Sequence, residues 1–91
     1  MDRIIVDTRE QIEYDASHVE GAINITPAEF MDGPIPDQLK DVEKDVEVLL
    51  YCRSGARSNA CGYILRDHGF MNIVNGTNEH ITRKLLKETA E

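Results

Sequence analysis

Apolar residues are distributed along this chain in short continuous runs, and between them lie stretches in which apolar positions recur every three or four residues. Ile4-Ile5-Val6, closed by Asp7, is the first run, and a continuous rather than alternating pattern predicts a strand covered on both faces. Thr8 and Gln11 have capping-box spacing, which predicts a helix from Arg9 through Ile12 to Ala16, with Arg9 and Glu13 paired across one turn. Gly21 breaks the chain before a second strand, Ala22-Ile23-Asn24-Ile25. Thr26-Pro27-Ala28-Glu29 repeats the capping signature with proline at the first helical position. That helix is short, because Asp32-Gly33-Pro34 ends it, and another short helix is expected from Pro36 toward Val42.

The central run, Val46 to Tyr51, predicts a buried strand and is followed by a tight turn and a helix over Asn59 to His68. Cys61, Ile64 and Leu65 give that helix its inward face, and Gly69 supplies the left-handed residue after it. A fourth strand is expected over Asn72 to Val74, a loop over Asn75 to Asn78, and a last helix over Glu79 to Glu88 with Ile81, Leu85 and Leu86 inward. Strands alternating with helices imply a small α/β domain, a mostly parallel sheet with helices on both faces.

Ninety-one residues suit a single domain, residues 1–91. No stretch approaches the ~18 apolar residues of a membrane span. The net charge of −7 argues against nucleic acid as a partner, since phosphate binding needs a basic face. It also makes one basic segment conspicuous. Between Arg9 and Lys40 there are seven acidic residues and no Lys or Arg, whereas Arg53 and Arg57 flank a single turn. Two cysteines make no disulfide framework, and without a Cys-x-x-Cys or a histidine cluster no metal site is expected. Met1-Asp2-Arg3 leads directly into a strand with no signal peptide. A cytoplasmic location is therefore expected, or a periplasmic one for a chain whose leader has been removed.

The turn itself is Tyr51-Cys52-Arg53-Ser54-Gly55-Ala56-Arg57-Ser58. A cysteine between a buried strand and a helix meets the free N–H groups and positive dipole end of that helix. Two arginines add charge, and such settings favour thiolate over thiol. Successive N–H groups in so short a turn can converge on one small anion, with Gly55 relieving the tight backbone. Cys52 is thus the candidate nucleophile, with Arg53, Ser54, Gly55, Ala56, Arg57 and Ser58 as substrate-binding candidates. Cys61 reads as a small buried hydrophobe, His18 as a structural hydrogen-bonding residue, His68 and His80 as surface residues near helix ends, and Asp7 and Arg9 as residues that fix the first turn.

These residues carry a resemblance. Asp7-Thr8-Arg9, Glu13-Tyr14, His18-Val19-Glu20-Gly21-Ala22-Ile23-Asn24-Ile25, the Cys52 turn, and Gly69-Phe70 with Asn72-Ile73 together resemble the single-domain rhodaneses, which are sulfurtransferases. The resemblance implies a rhodanese-like three-layer fold with a mostly parallel four- to five-stranded sheet. It also implies a ping-pong reaction without a cofactor, in which Cys52 takes sulfur from a small anionic donor such as thiosulfate and passes it as a persulfide to a thiol, cyanide or an acceptor protein. Two places depart from the pattern. Ser17 stands where the family usually has glycine, and Gly76-Thr77-Asn78-Glu79 replaces a Gly-Gly segment that helps line the pocket.

A persulfide carrier or interaction module serving a protein partner is the alternative. A cysteine-dependent phosphatase or arsenate reductase fits less well, because four residues between Cys52 and Arg57 make a small cradle and the loop holds no acid to protonate a leaving alkoxide. A monomer is expected, since no coiled-coil seam or long apolar helix face is left over.

Overall fold

Strands covered on both faces are what the continuous apolar runs become. The computed structural model describes residues 3–31 and 33–89. In it β1 (Arg3–Asp7), β2 (Ile23–Asn24), β3 (Glu47–Tyr51) and β4 (Ile73–Thr77) form one sheet in the order β2-β1-β3-β4. Every pairing is parallel. Beside and between the strands lie α1 (Gln11–Ala16), α2 (Pro27–Met31), a 3-10 turn (Asp37–Leu39), α3 (Ala56–Asp67) and α4 (Glu79–Thr89).

Alternation along β1 and β3 sorts side chains to the two faces of the sheet. Val6, Val48 and Leu50 pack with Phe30, Leu39, Cys61, Leu65 and Phe70, which brings α2 and α3 to one face. Tyr51 packs with Val19 and Ala22, and with Ile5, Tyr14 and Leu86, which brings α1 and α4 to the other. Each fully buried aliphatic or aromatic side chain contributes ~1.5–3 kcal/mol relative to exposure. β1 and β3 run in full register from Arg3 opposite Glu47 to Asp7 opposite Tyr51, so they end level. From β1 the chain goes first to β2 on one side and then to β3 on the other. Such a reversal opens a crevice beyond the carboxyl ends of the two strands.

Several local expectations are corrected. Thr8 does not cap α1. It is fully buried, and its Oγ1 and its N–H both donate to the carbonyl of Tyr51, at 3.0 and 2.9 Å. The helix starts two residues later, at Gln11, with the box made by Glu10 and Glu13. Arg9 does not pair with Glu13 but with Asp7 and Glu79, and Glu13 pairs with Arg57. The second strand shrinks to Ile23–Asn24, and the helix expected from Pro36 is only the 3-10 turn. Pro27 does open α2, where the Glu29 carboxylate accepts from the Thr26 N–H at 2.8 Å. That helix ends at Met31, and Asp32 of the predicted stop lies outside the described residues.

The loop expected over Asn75 to Asn78 is mostly strand. β4 continues to Thr77, and the ladder absorbs one extra residue there, since Leu50 faces Asn75 while Tyr51 faces Thr77. On α4 the buried residue is Thr82, with Leu85 and Leu86 half-buried at the next turn; Ile81, one position round the helix, is turned outward. Thr82 wins the inner position because its Oγ1 donates to the Gly76 carbonyl at 3.2 Å.

Gly76 and Thr82 are in close contact. A Cβ at Gly76 would come within 2.2 Å of Thr82 Oγ1 and 3.3 Å of Leu49 Cδ1. Gly76→Ala is therefore expected to destabilise the fold by about 1–3 kcal/mol through overpacking. Urea unfolding should show a lowered midpoint, partly recovered in the double variant Gly76→Ala/Thr82→Ala; an unchanged midpoint would refute the close contact.

Candidate active site

Cys52 follows the last residue of β3 and is 2% exposed. Its N–H donates to the Thr77 carbonyl at 3.1 Å, which ties the start of the loop to the end of β4. Gly55 then adopts φ +92°, a left-handed conformation that suits glycine, and becomes the N-cap residue of α3. The helix therefore begins three residues earlier than the apolar spacing suggests, and Arg57 and Ser58 lie in its first turn. This turns backbone N–H groups toward the sulfur, that of Gly55 at 3.1 Å from Sγ.

The electrostatic outcome is a contest. Burial pushes the Cys52 thiol up, but N–H groups of Ser58, Ser54 and Gly55 and the Ser58 hydroxyl outweigh it and bring the thiol down to about 7. The Ser58 hydroxyl is the weaker partner on geometry, because Oγ lies 3.7 Å from Sγ and 2.6 Å from Asn75 Oδ1. Asn75 is itself fixed, donating to the Gly55 carbonyl at 3.0 Å and accepting from the Thr77 N–H at 3.0 Å. The single hydroxyl hydrogen therefore goes to Asn75, and the backbone donors carry the thiolate. Cys61 is treated oppositely. Burial among core side chains, then the neighbouring Cys52, raise its thiol to about 11.

Of the remaining loop residues, Ser54 and Ala56 are exposed and Gly55 and Ser58 are buried. The two arginines behave differently. Arg57 is half-buried and bidentate to Glu13, at 2.8 and 3.3 Å, and is held protonated first by that carboxylate and then by the charge of Cys52. Arg57 in turn lowers the Glu13 carboxyl to about 2, assisted by the Glu10 backbone. Arg53 is 76% exposed, with Glu13 at 3.9 Å.

Beneath the loop, Tyr51 is pinned by a buried network. Its hydroxyl donates to Asp7 Oδ2 and accepts from the Val19 N–H, both at 2.9 Å. Asp7, fully buried, also receives the backbone N–H and the guanidinium of Arg9. Arg9 continues to the Ser17 carbonyl and to Glu79 at 3.1 Å, and Glu79 also accepts from Ser17 Oγ and Arg83. His18 stays structural: its Nδ1 meets the Tyr14 carbonyl at 2.8 Å and its ring stacks on Tyr14 at 3.8 Å.

An open cleft of about 320 Å³ adjoins the sulfur, lined by Arg9, Cys52, Arg53, Asn78, Glu79 and His80. Asn75, Asn78 and the cleft-facing position of His80 were not legible as site features from apolar spacing. The general placement of ligands beyond strand ends points to them, since they lie at and after the end of β4 as Arg9 follows β1. Among the described residues no group of His, Cys, Asp and Glu is arranged to hold a metal ion, and no helix is long and apolar enough to cross a membrane.

Residues 1–78 match a family model described as "Rhodanese-like domain". A protein named sulfurtransferase from Allochromatium vinosum is 40% identical over 62 residues, covering 55% of this chain and 57% of the relative. A tRNA uridine(34) hydroxylase from Pectobacterium carotovorum is 29% identical over 73 residues, covering 79% of this chain. The chain spans only 21% of the length of that relative. Among solved structures, one described as a rhodanese with anions from E. coli superposes with a TM-score of 0.74 at 28% identity, covering 87% of this chain and 89% of the other.

Two predictions follow from the balance of charges around Cys52. Ser58→Ala should raise the thiol by less than about one pH unit, because the hydroxyl hydrogen is committed to Asn75 and the backbone donors remain. Thiolate absorbance against pH reads this directly, and a return to an ordinary cysteine value would place the hydroxyl, not the backbone, in charge. The Glu13 pair stabilises the fold above the unfolded carboxyl value of about 4.3 and loses its effect as pH falls toward about 2. Glu13→Gln should therefore flatten the loss of stability across that interval, measured as urea midpoints; an identical acid profile would refute the pairing.

Proposed function

Because the chain belongs to the rhodanese-like domain family, we propose that it is a sulfurtransferase that carries sulfane sulfur on Cys52, with thiosulfate or a comparable persulfide as donor. The supporting observation is the buried Cys52 sulfur facing backbone N–H groups, with the thiol lowered to about 7. A thiolate formed this way needs no general base. In the first half-reaction Sγ bonds to the outer sulfur of thiosulfate, and the bond between the two thiosulfate sulfurs breaks with its electron pair leaving on sulfite. No proton moves. The product is a Cys52 persulfide anion, and the N–H groups that held the thiolate are placed to hold its terminal charge, as an oxyanion hole would. In the second half-reaction a thiolate or cyanide attacks that outer sulfur, and the electrons of the broken S–S bond return to Sγ.

The phosphatase reading is disfavoured by Glu13. Its pairing with Arg57 keeps it ionised at any ordinary pH, and Glu79, the carboxylate that lines the cleft, is taken up as an acceptor by Arg9, Ser17 and Arg83, so neither is placed to protonate a leaving alkoxide.

Incubating the reduced protein with thiosulfate should add one sulfur atom to the intact mass, and cyanide should remove it as thiocyanate. Cys52→Ser should abolish the gain and Cys61→Ser should preserve it. Sulfur gained but released poorly to cyanide would favour transfer to a protein acceptor; hydrolysis of an aryl phosphate with no sulfur gained would refute the proposal.

A further inference from the structure

Five residues besides Cys52 line the cleft at its sulfur, yet few of their polar groups are free to meet a ligand. Arg9 and Glu79 neutralise each other at 3.1 Å, and each has further partners, Asp7 for the first and Ser17 and Arg83 for the second. The Oδ1 of Asn78 accepts the Ile81 N–H at 2.8 Å and so caps the first turn of α4. Its Nδ2 is left as a neutral donor, and two side chains that can carry positive charge remain, Arg53 from the loop after β3, with only a long 3.9 Å contact to Glu13, and His80 from the first turn of α4, both exposed. An imidazole donates a hydrogen bond in its neutral form and is cationic when protonated. Arg57, the other loop arginine, is bidentate to Glu13 and does not line this cleft.

The protein as a whole carries a net charge of −7 and repels small anions. An anionic donor that reaches the buried sulfur therefore needs local attraction within the cleft itself. We propose that His80, together with Arg53, reads the anionic end of the sulfur donor in this cleft and so selects anionic over neutral donors. The identity of the donor rests on the sulfurtransferase reading; the preference for an anion rests on the cleft. His80 is here a specificity-determining residue that positions the donor while Cys52 performs the chemistry. Its position in sequence, just after Gly76-Thr77-Asn78-Glu79, places it where this chain departs from the glycine-rich pattern.

The test compares the rates at which Cys52 is alkylated by iodoacetate, an anion, and by iodoacetamide, its neutral counterpart, with the adduct mapped to Cys52. Taking the ratio at one pH cancels the thiolate fraction. His80→Glu is expected to lower the iodoacetate-to-iodoacetamide ratio roughly fivefold, the size of a screened charge contact, and His80→Lys to keep or raise it. With thiosulfate, His80→Glu should raise KM while leaving kcat within about twofold. A ratio unchanged in both variants, or lowered equally in both, overturns the proposal. Should the wild type gain no sulfur from thiosulfate or from a low-molecular-weight persulfide while the alkylation ratio still follows the charge at position 80, the anion-reading role stands and the sulfurtransferase reading falls.

Discussion

The buried ion pair of Asp7 and Arg9 is the contact on which the site depends. Buried ion pairs are not in general a cheap source of stability, because desolvation of both charges offsets their attraction. This one is hydrogen-bonded throughout. Asp7 accepts from the Arg9 backbone, the guanidinium and the Tyr51 hydroxyl, while Arg9 also reaches the Ser17 carbonyl and Glu79. Its effect is positional. It locks the residue before Cys52, the turn after β1 and the start of α4 to one another, so three segments that surround the cleft share one buried anchor.

Above that anchor the work is divided between backbone and charged side chains. Backbone N–H groups hold the sulfur, and they can do so because Gly55 takes a left-handed conformation and α3 begins immediately after it. Charged side chains sit one step out. Arg57 is committed to Glu13 and lends its charge to the thiolate from a fixed place, while Arg53 is left exposed at the cleft. Two arginines that look equivalent in sequence therefore have separate environments. Thr77 shows a related compromise: it holds φ +71°, unusual for a β-branched residue, while its carbonyl accepts the Cys52 N–H.

The parallel sheet, the buried central strand and the cysteine at its end were legible from local pattern, because apolar runs and turn residues act over a few positions. Features decided by distant partners were not. Thr8 has the spacing of a cap, but the Tyr51 carbonyl, far away in sequence, claims its hydroxyl. Arg9 and Glu13 have the spacing of a helical pair, but Asp7, Glu79 and Arg57 offer stronger, partly buried partners. The extension of β4 to Thr77 depends on pairing with Tyr51 across an irregular register, and the outward turn of Ile81 depends on Thr82 reaching Gly76. The cleft residues Asn78 and His80 carried no motif of their own, and only the meeting of β4 and α4 beside β3 brings them to the sulfur.

β1 lies inside the sheet although it is the first strand in the chain, and its neighbours arrive late. A ribosome would release Asp7 and Arg9 long before Tyr51, and Tyr51 well before Glu79, so the buried pair would wait in water for partners 44 and 70 residues away. Contacts of such separation are formed slowly and cooperatively. Exclusion of water from the anchor beneath Cys52 is thus a late event in the life of the chain. The lowered Cys52 thiol is a property of the folded chain and not of the loop sequence alone, because the N–H groups that stabilise its thiolate converge on the sulfur only when the loop and the start of α3 are in place beside β3 and β4.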